Sequence, residues 1–345
     1  MAEEVVWSLS VSLLVFAVAV VTITGFGIMM TLVASQLAEQ TGLGQALMGA
    51  LFVGGSTSLA EIATSTTAAY NGHPDLAVSN AVGSIAGQTA MLAVADLAYH
   101  RANLEHAAAS AENLMMSVFL ITLLAIPLLA AGVPDISLWS IHPASLGLVV
   151  TYIWGMRLVS QAHKQPMWHP RETPETRVDD GRAPGRGRHG LAGLWMRFIV
   201  ACAFMTLAGW LLARSAVGIS VHSGLSETVV GGLFTGLSSS LPELITAVTA
   251  VRIGQLTLAV GDVLGGNAFD TLVVVMSDVA YRQGSIYAAI SQQQYYLISL
   301  AILLTGILAM GLVRREKHGI ANIGTESFLV LFLYVGAFSL LFIFG

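Results

Sequence analysis

The sequence predicts an all-α integral membrane protein of ten transmembrane helices arranged as two inverted five-helix repeats. Of its 345 residues, 55% are hydrophobic and 10% charged, against roughly 25% charged in an ordinary soluble domain. The apolar residues fall in ten long runs separated by short polar breaks, each approaching the roughly 20 residues a helix needs to cross a hydrocarbon core about 30 Å thick. Residues 56–99 also align without a gap on residues 238–281, with 17 of 44 positions identical.

In chain order the predicted spans are 5–32, 46–71, 75–99, 113–131, 143–161, 194–213, 226–252, 257–281, 288–313 and 325–344. The first is preceded by Glu3 and Glu4 rather than by the basic flank of a cleaved leader, so it is expected to remain as a helix. Residues 1–161 form the first half and 194–345 the second. Between them, 162–193 is dense in Pro, Gly and charge without apolar periodicity, which reads as a cytoplasmic linker. With both termini outside, 13 of the 15 Lys and Arg residues fall on the inner side and only Arg214 and Arg282 outside, as expected for a plasma (inner) membrane protein.

The 182-residue offset between the two motifs pairs Ser58 with Ser240, Glu61 with Glu243, Gly83 with Gly265, Asp96 with Asp278 and Tyr99 with Tyr281. Shared apolar bias explains matched Leu and Ala, but not matched Glu, Asp, Gly and Tyr in one register. Five spans separate equivalent points, and an odd number reverses direction in the membrane. The copies are therefore inverted, a recurring plan of secondary transporters with a site near the midplane.

Glu61 and Gln88 stand 11 and 12 residues from opposite sides of the turn near Gly72 and Leu76, which at 1.5 Å per residue is roughly 17 Å and close to mid-depth. Glu243 and Asp270 repeat this placement in the second copy. Three carboxylates, with no Lys or Arg at that depth to neutralise them, require a bound cation or protons. Hydroxyls from Ser56, Thr57, Ser58, Ser238, Ser239 and Ser240 precede each Glu, and such oxygens with carboxylates suit a hard cation such as Ca2+. A membrane Ser or Thr can instead bond back to its own helix, and the glycines can serve close helix packing. Asp96 and Asp278, near span ends, read as capping residues. Asn80, Asp262 and Asn267 suit either helix-break hydrogen bonding or ligation, and Asn267 is counted with the supporting ligands.

The segments STSLAE and SSSLPE, followed 27 residues after each Glu by the ends of GSIAGQ and GGNAFD, resemble the alpha repeats of the Ca2+/cation antiporter superfamily, which includes the sodium/calcium exchangers. The resemblance implies a diamond-like central site and alternating access through movement of long first and sixth spans. Entry of Na+ or H+ would drive Ca2+ export. It implies Glu61 and Glu243 as the principal Ca2+ ligands, Gln88 and Asp270 as the flanking polar pair, and Thr57, Ser58, Ser84, Ser239 and Ser240 as further ligands of Na+ or Ca2+. The sequence departs from the family pattern at Ala60, where Pro is usual, at Ile85, Gly87 and Gln88, and at Gly266, where Ser is usual.

Other classes find less support. Gly236-Leu237-Ser238-Ser239 superficially fits an intramembrane serine protease, but no later apolar span holds a histidine to activate the serine; Val260-Gly261-Asp262 lacks the first Gly of GxGD. No catalytic residue and no cofactor is expected. The expected partners are the transported inorganic cations and the lipid bilayer, with no nucleic acid; oligomeric state is left open. Cys202 is alone, and the nine histidines form no HExxH or Cys/His cluster. A passive cation channel, or a carrier of another divalent ion, remains the competing reading.

Overall fold

A computed structural model describes residues 6–41, 58–97, 103–133, 137–164, 171, 190–252, 256–316 and 324–344. The first half contains α1 (Leu9–Thr41), α2 (Leu59–Tyr70), α3 (Pro74–Leu97), the short α4 (Leu104–Ala107), α5 (Ala111–Ala131) and α6 (Pro143–Lys164). The second contains α7 (Leu191–Ser223), α8 (residues 227–239), α9 (Leu241–Arg252), α10 (Leu256–Ala280), the short α11 (Ile286–Ala289), α12 (Gln292–Arg314) and α13 (Thr325–Phe344).

Seven of the described helices are long and apolar enough to cross a membrane. The remaining expected spans are represented by α2, by the more polar α6, and by α8 with α9. The pairs α1/α7, α2/α9 and α4/α11 begin and end 182 residues apart, and the other pairs begin within one residue of that offset. The duplication seen over 44 positions of sequence thus governs nearly the whole chain.

Three expectations need correction. The helices α1 and α7 reach 33 residues each, about 50 Å, beyond the predicted runs 5–32 and 194–213. An apolar window ends where polar residues such as Gln36 and His222 begin, but backbone hydrogen bonding does not. The two helices pack along each other, with Phe26 stacked on Phe204 at 4.3 Å between centroids and Ile23, Met30, Ala201, Met205 and Leu212 filling a seam that also takes in Ala60 of α2. The predicted span 226–252 is not one continuous α-helix. It starts as Glu227–Val229, widens into a π-helical stretch Val230–Thr235, resumes over Gly236–Ser239 and breaks at Ser240 (φ −92°, ψ 6°) before α9. Pro242 fits the break because the first turn of a helix has no partner for its missing N–H. Ser58 (φ −74°, ψ 1°) occupies the same place before α2. Finally, the predicted span 288–313 begins later: Gln292 opens α12, and Ser285 starts the separate turn α11.

At the centre of the bundle, 89% of the spanning window of α3 is buried. Its small residues allow this. A Cβ on Gly83 would overlap the Cα of Gly232 in the π-helical stretch, so the two backbones are in direct contact, as small residues permit in membranes. Where α3 starts, His73 Nδ1 pairs with Glu227 Oε1 at 2.6 Å and Ser79 Oγ lies 3.2 Å from the Glu227 carbonyl. These contacts tie α8 to α3 and so place Ser239 and Ser240 beside the middle of α3.

Candidate cation-binding site

The helix starts at Ser58 and Ser240 point the first turns of α2 and α9 at each other across α3 and α10. Glu61, in the first turn of α2, is fully buried. Its Oε1 accepts from Ser240 Oγ at 2.7 Å, is touched by Ser84 Oγ of α3, and lies 3.5 Å from Ser239 Oγ. On α10, Asp270 Oδ1 accepts from Ser58 Oγ at 2.7 Å, and Gln88 Nε2 stands 3.1 Å from each of Asp270 Oδ2, Ser84 Oγ and Ser240 Oγ. Each copy is therefore hydrogen-bonded to the other: Ser58 reaches Asp270, while Gln88 and Glu61 reach Ser240.

The Glu61 carboxylate feels the charges of both Asp270 and Glu243, so the three acids predicted from sequence are neighbours. Glu61 Oε2 and Gln88 Oε1 are buried acceptors with no hydrogen-bond partner. Leaving such oxygens unanswered costs about 1–3 kcal/mol each, more when charged. Among the described residues, no group of three or more His, Cys, Asp and Glu forms a ready-made metal cage. The donor set is instead carboxylate, amide and hydroxyl oxygen, which suits a hard cation. Beside it lies a cavity of about 160 Å³ bordered by Gln88, Met91, Ser240, Leu241 and Leu244.

The sequence-predicted residues fall into three groups. Glu61, Gln88, Asp270, Ser58, Ser84, Ser239 and Ser240 share one hydrogen-bonded cluster, and Glu243, half-buried, adjoins it. Asn267 turns its amide nitrogen to Thr89 Oγ1 (3.1 Å) and to the Ile85 carbonyl (3.4 Å), bracing α10 on α3 while its Oδ1 has no partner. Thr57, with Ser56, lies outside the described residues. Asp96 and Asp278 accept backbone N–H groups at their helix ends, as expected of caps. Several membrane hydroxyls bond back to their own helix, including Thr66 to Ile62 and Thr305 to Ala301.

With this geometry in place, comparison with known proteins is informative. The family described as sodium/calcium exchanger protein matches residues 11–159 and 193–344, one stretch per half. The chain belongs to this family. It is a multi-pass membrane transporter rather than an enzyme, and a cation antiporter by membership. CaxA of Alkalimonas amylolytica, named as a candidate antiporter, is 28% identical over 328 residues, covering 90% of this chain and 92% of that one. The inner membrane protein YrbG of Escherichia coli K12 is 25% identical over 301 residues, covering 86% and 88%. In fold, the chain is similar to the sodium-calcium exchanger NCX_Mj soaked with Na+ and Sr2+, with a TM-score of 0.58 at 18% identity over 95% of this chain and 97% of that one. The ten-helix arrangement is shared.

Two features of the family member's site were not read from sequence. Tyr152 of α6 packs edge-on against Phe269, with 6.3 Å between centroids, and stands close enough to Asp270 to feel its charge. One aromatic in an apolar run gives no signal for this. Asn80 Nδ2 donates to Ser65 Oγ at 2.9 Å, and Ser65 Oγ donates to the Ala77 carbonyl at 2.9 Å, fastening α2 to α3 one turn from Glu61. The polar pair is visible in sequence, but its partnering needs the hairpin geometry.

Proposed function

We propose that the chain exchanges Ca2+ for Na+ or H+ by alternating access at the midplane, with Glu61 and Glu243 as the principal Ca2+ ligands and Gln88 and Asp270 beside them. Ser58, Ser84, Ser239, Ser240, Asn267 and Thr57 support the ions. The observation that carries the reading is the meeting of Glu61, Gln88 and Asp270 from two inverted copies around buried oxygens that lack donors. Three carboxylates exceed the charge of one Ca2+, so the balance falls to Na+ or H+, and the same site serves both ions in turn. The names of the relatives, an exchanger for Na+ and Ca2+ and an inner membrane protein, support the ion class and an inner membrane location, and the Lys and Arg distribution supports termini on the outside. The segment 162–193 connects the halves on the cytoplasmic side.

The test is Ca2+ uptake into proteoliposomes, first loaded with Na+ and then carrying only a pH gradient. Uptake that needs the outward Na+ gradient identifies Na+ as the counter-ion, and uptake driven by pH alone identifies H+. Uptake with neither gradient would mark a passive channel and sink the antiport reading.

A further inference from the structure

Where α3, α4, α12 and α13 meet, a buried hydrogen-bonded chain holds a carboxyl group that the cation site does not use. Asp96 Oδ1 accepts from Leu104 N at 2.6 Å, and its Oδ2 accepts from Gly324 N at 2.9 Å. Ser327 Oγ, in the first turn of α13, touches Glu105 Oε1 of α4 and also faces the Asp96 carboxylate. Glu105 is 3% exposed, and its Oε2 has no hydrogen-bond partner. That oxygen lies over Gly324, where a Cβ would come within 2.6 Å of it.

The opposite end of the bundle holds the counterpart, 182 residues displaced. Asp278 Oδ1 accepts from Ile286 N at 2.9 Å, and its Oδ2 accepts from His142 N at 2.9 Å and from Ser145 Oγ at 2.7 Å. Tyr287 Oη lies 3.1 Å from Ser145 Oγ. Ser145 has one hydroxyl proton, and a carboxylate only accepts, so that proton goes to Asp278 and Tyr287 donates to Ser145. Tyr287, Ser145 and Asp278 form a satisfied relay.

Glu105 holds the place of Tyr287, Ser327 that of Ser145, and Asp96 that of Asp278. A carboxyl group can act as Tyr287 does only while it carries a proton. Protonated Glu105 donates to Ser327, which is then able to donate to Asp96. Ionised Glu105 claims the Ser327 proton and sets a second buried charge beside Asp96, with Oε2 still unanswered. Among the described residues, the neighbouring arginines are engaged elsewhere. Arg314 on α12 is held by Glu326 at 3.0 Å and Glu316 at 3.2 Å, and Arg315 donates to the His106 carbonyl. His106 Nδ1 meets the Arg315 carbonyl at 2.7 Å, and Glu326 adds a further negative charge from α13.

We propose that Glu105 is a proton-binding site that locks the start of α13 to α4, so that protonation closes this end of the bundle and deprotonation loosens it. Burial first, and then the Asp96 charge, raise the Glu105 carboxyl from 4.5 to about 7. A raised carboxyl favours the folded form when protonated, so the lock is fully present below the ordinary carboxyl range and is lost as pH rises through about 7. Arg314 and Arg315 flank this end, the one the charge distribution assigns to the cytoplasm.

Hydrogen–deuterium exchange on the full chain in detergent tests this, with rates corrected for the intrinsic pH dependence. In the unaltered protein, protection of the Leu104 and Gly324 amides should fall about tenfold between about pH 6 and about pH 8. Glu105→Gln, which keeps a donor for Ser327, should hold protection flat over that range. Tyr287→Phe should lower protection at Ile286 and His142 equally at both pH values. A flat profile in the unaltered protein, or an undiminished fall in Glu105→Gln, overturns the proposal. Should Glu105→Gln not fold, Ser327→Ala decides: protection already low at about pH 6 supports the lock, and an unchanged pH-dependent fall refutes it.

Discussion

Glu61 and Glu243 are counterparts in the duplication, yet they are held differently. Glu61 is fully buried and gripped by hydroxyls from both copies, Ser84 and Ser240. Glu243 is half-buried. One substitution accounts for much of the contrast, because the counterpart of Ser84 is Gly266, which has no hydroxyl to offer. The two copies thus share a backbone course but differ in how deeply their glutamates are buried and in the hydroxyls offered at the Ser84 and Gly266 positions.

The largest effect should come from removing either charge. Glu61→Gln and Glu243→Gln should each reduce exchange in proteoliposomes to background while circular dichroism shows unchanged helix content; full activity in either variant would remove that residue from the site. Next is a contrast between counterpart glycines. Gly83→Ala forces a methyl group into the Gly232 backbone, whereas a Cβ at Gly265 meets nothing within 4 Å. Thermal unfolding in detergent should show about 1–3 kcal/mol of destabilisation for the first and little for the second. Ser84→Ala removes a hydrogen bond to a charged group and should weaken Ca2+ binding about tenfold by isothermal titration. The smallest effect is expected from restoring symmetry. A Cβ on Gly266 would stand 3.7 Å from Gln88 Oε1, an ordinary contact, so Gly266→Ser should shift the Ca2+ concentration for half-maximal exchange only by about two- to threefold.

Much of the fold was legible because a membrane span advertises itself by length and hydropathy, and the duplication was legible where Glu, Asp, Gly and Tyr recur between 56 and 99. Beyond that stretch the copies share mainly apolar composition, which any two membrane helices share, so the common offset emerged only from helix boundaries such as Leu9–Thr41 against Leu191–Ser223. Residue counting placed Glu61, Gln88 and Asp270 near mid-depth. It could not show that Ser240 would bond Glu61, because that depends on how α9 crosses α3. Pro242 hinted at the helix break, but no residue type demands the π-helical turns at Val230–Thr235, which lie against α3.

The reciprocal capping of Asp96 and Asp278 also bears on how the chain is completed during synthesis. When Asp278 is made, its donor from the first half, His142, already exists. Asp96 must wait for Gly324, 228 residues further along and at the threshold of the last helix. Until α13 is inserted, the first half carries an acid at its helix end lacking one of its backbone partners. The last helix is thus the keystone of the bundle: translation can lay down twelve of the thirteen named helices, but the older half closes only when the youngest arrives.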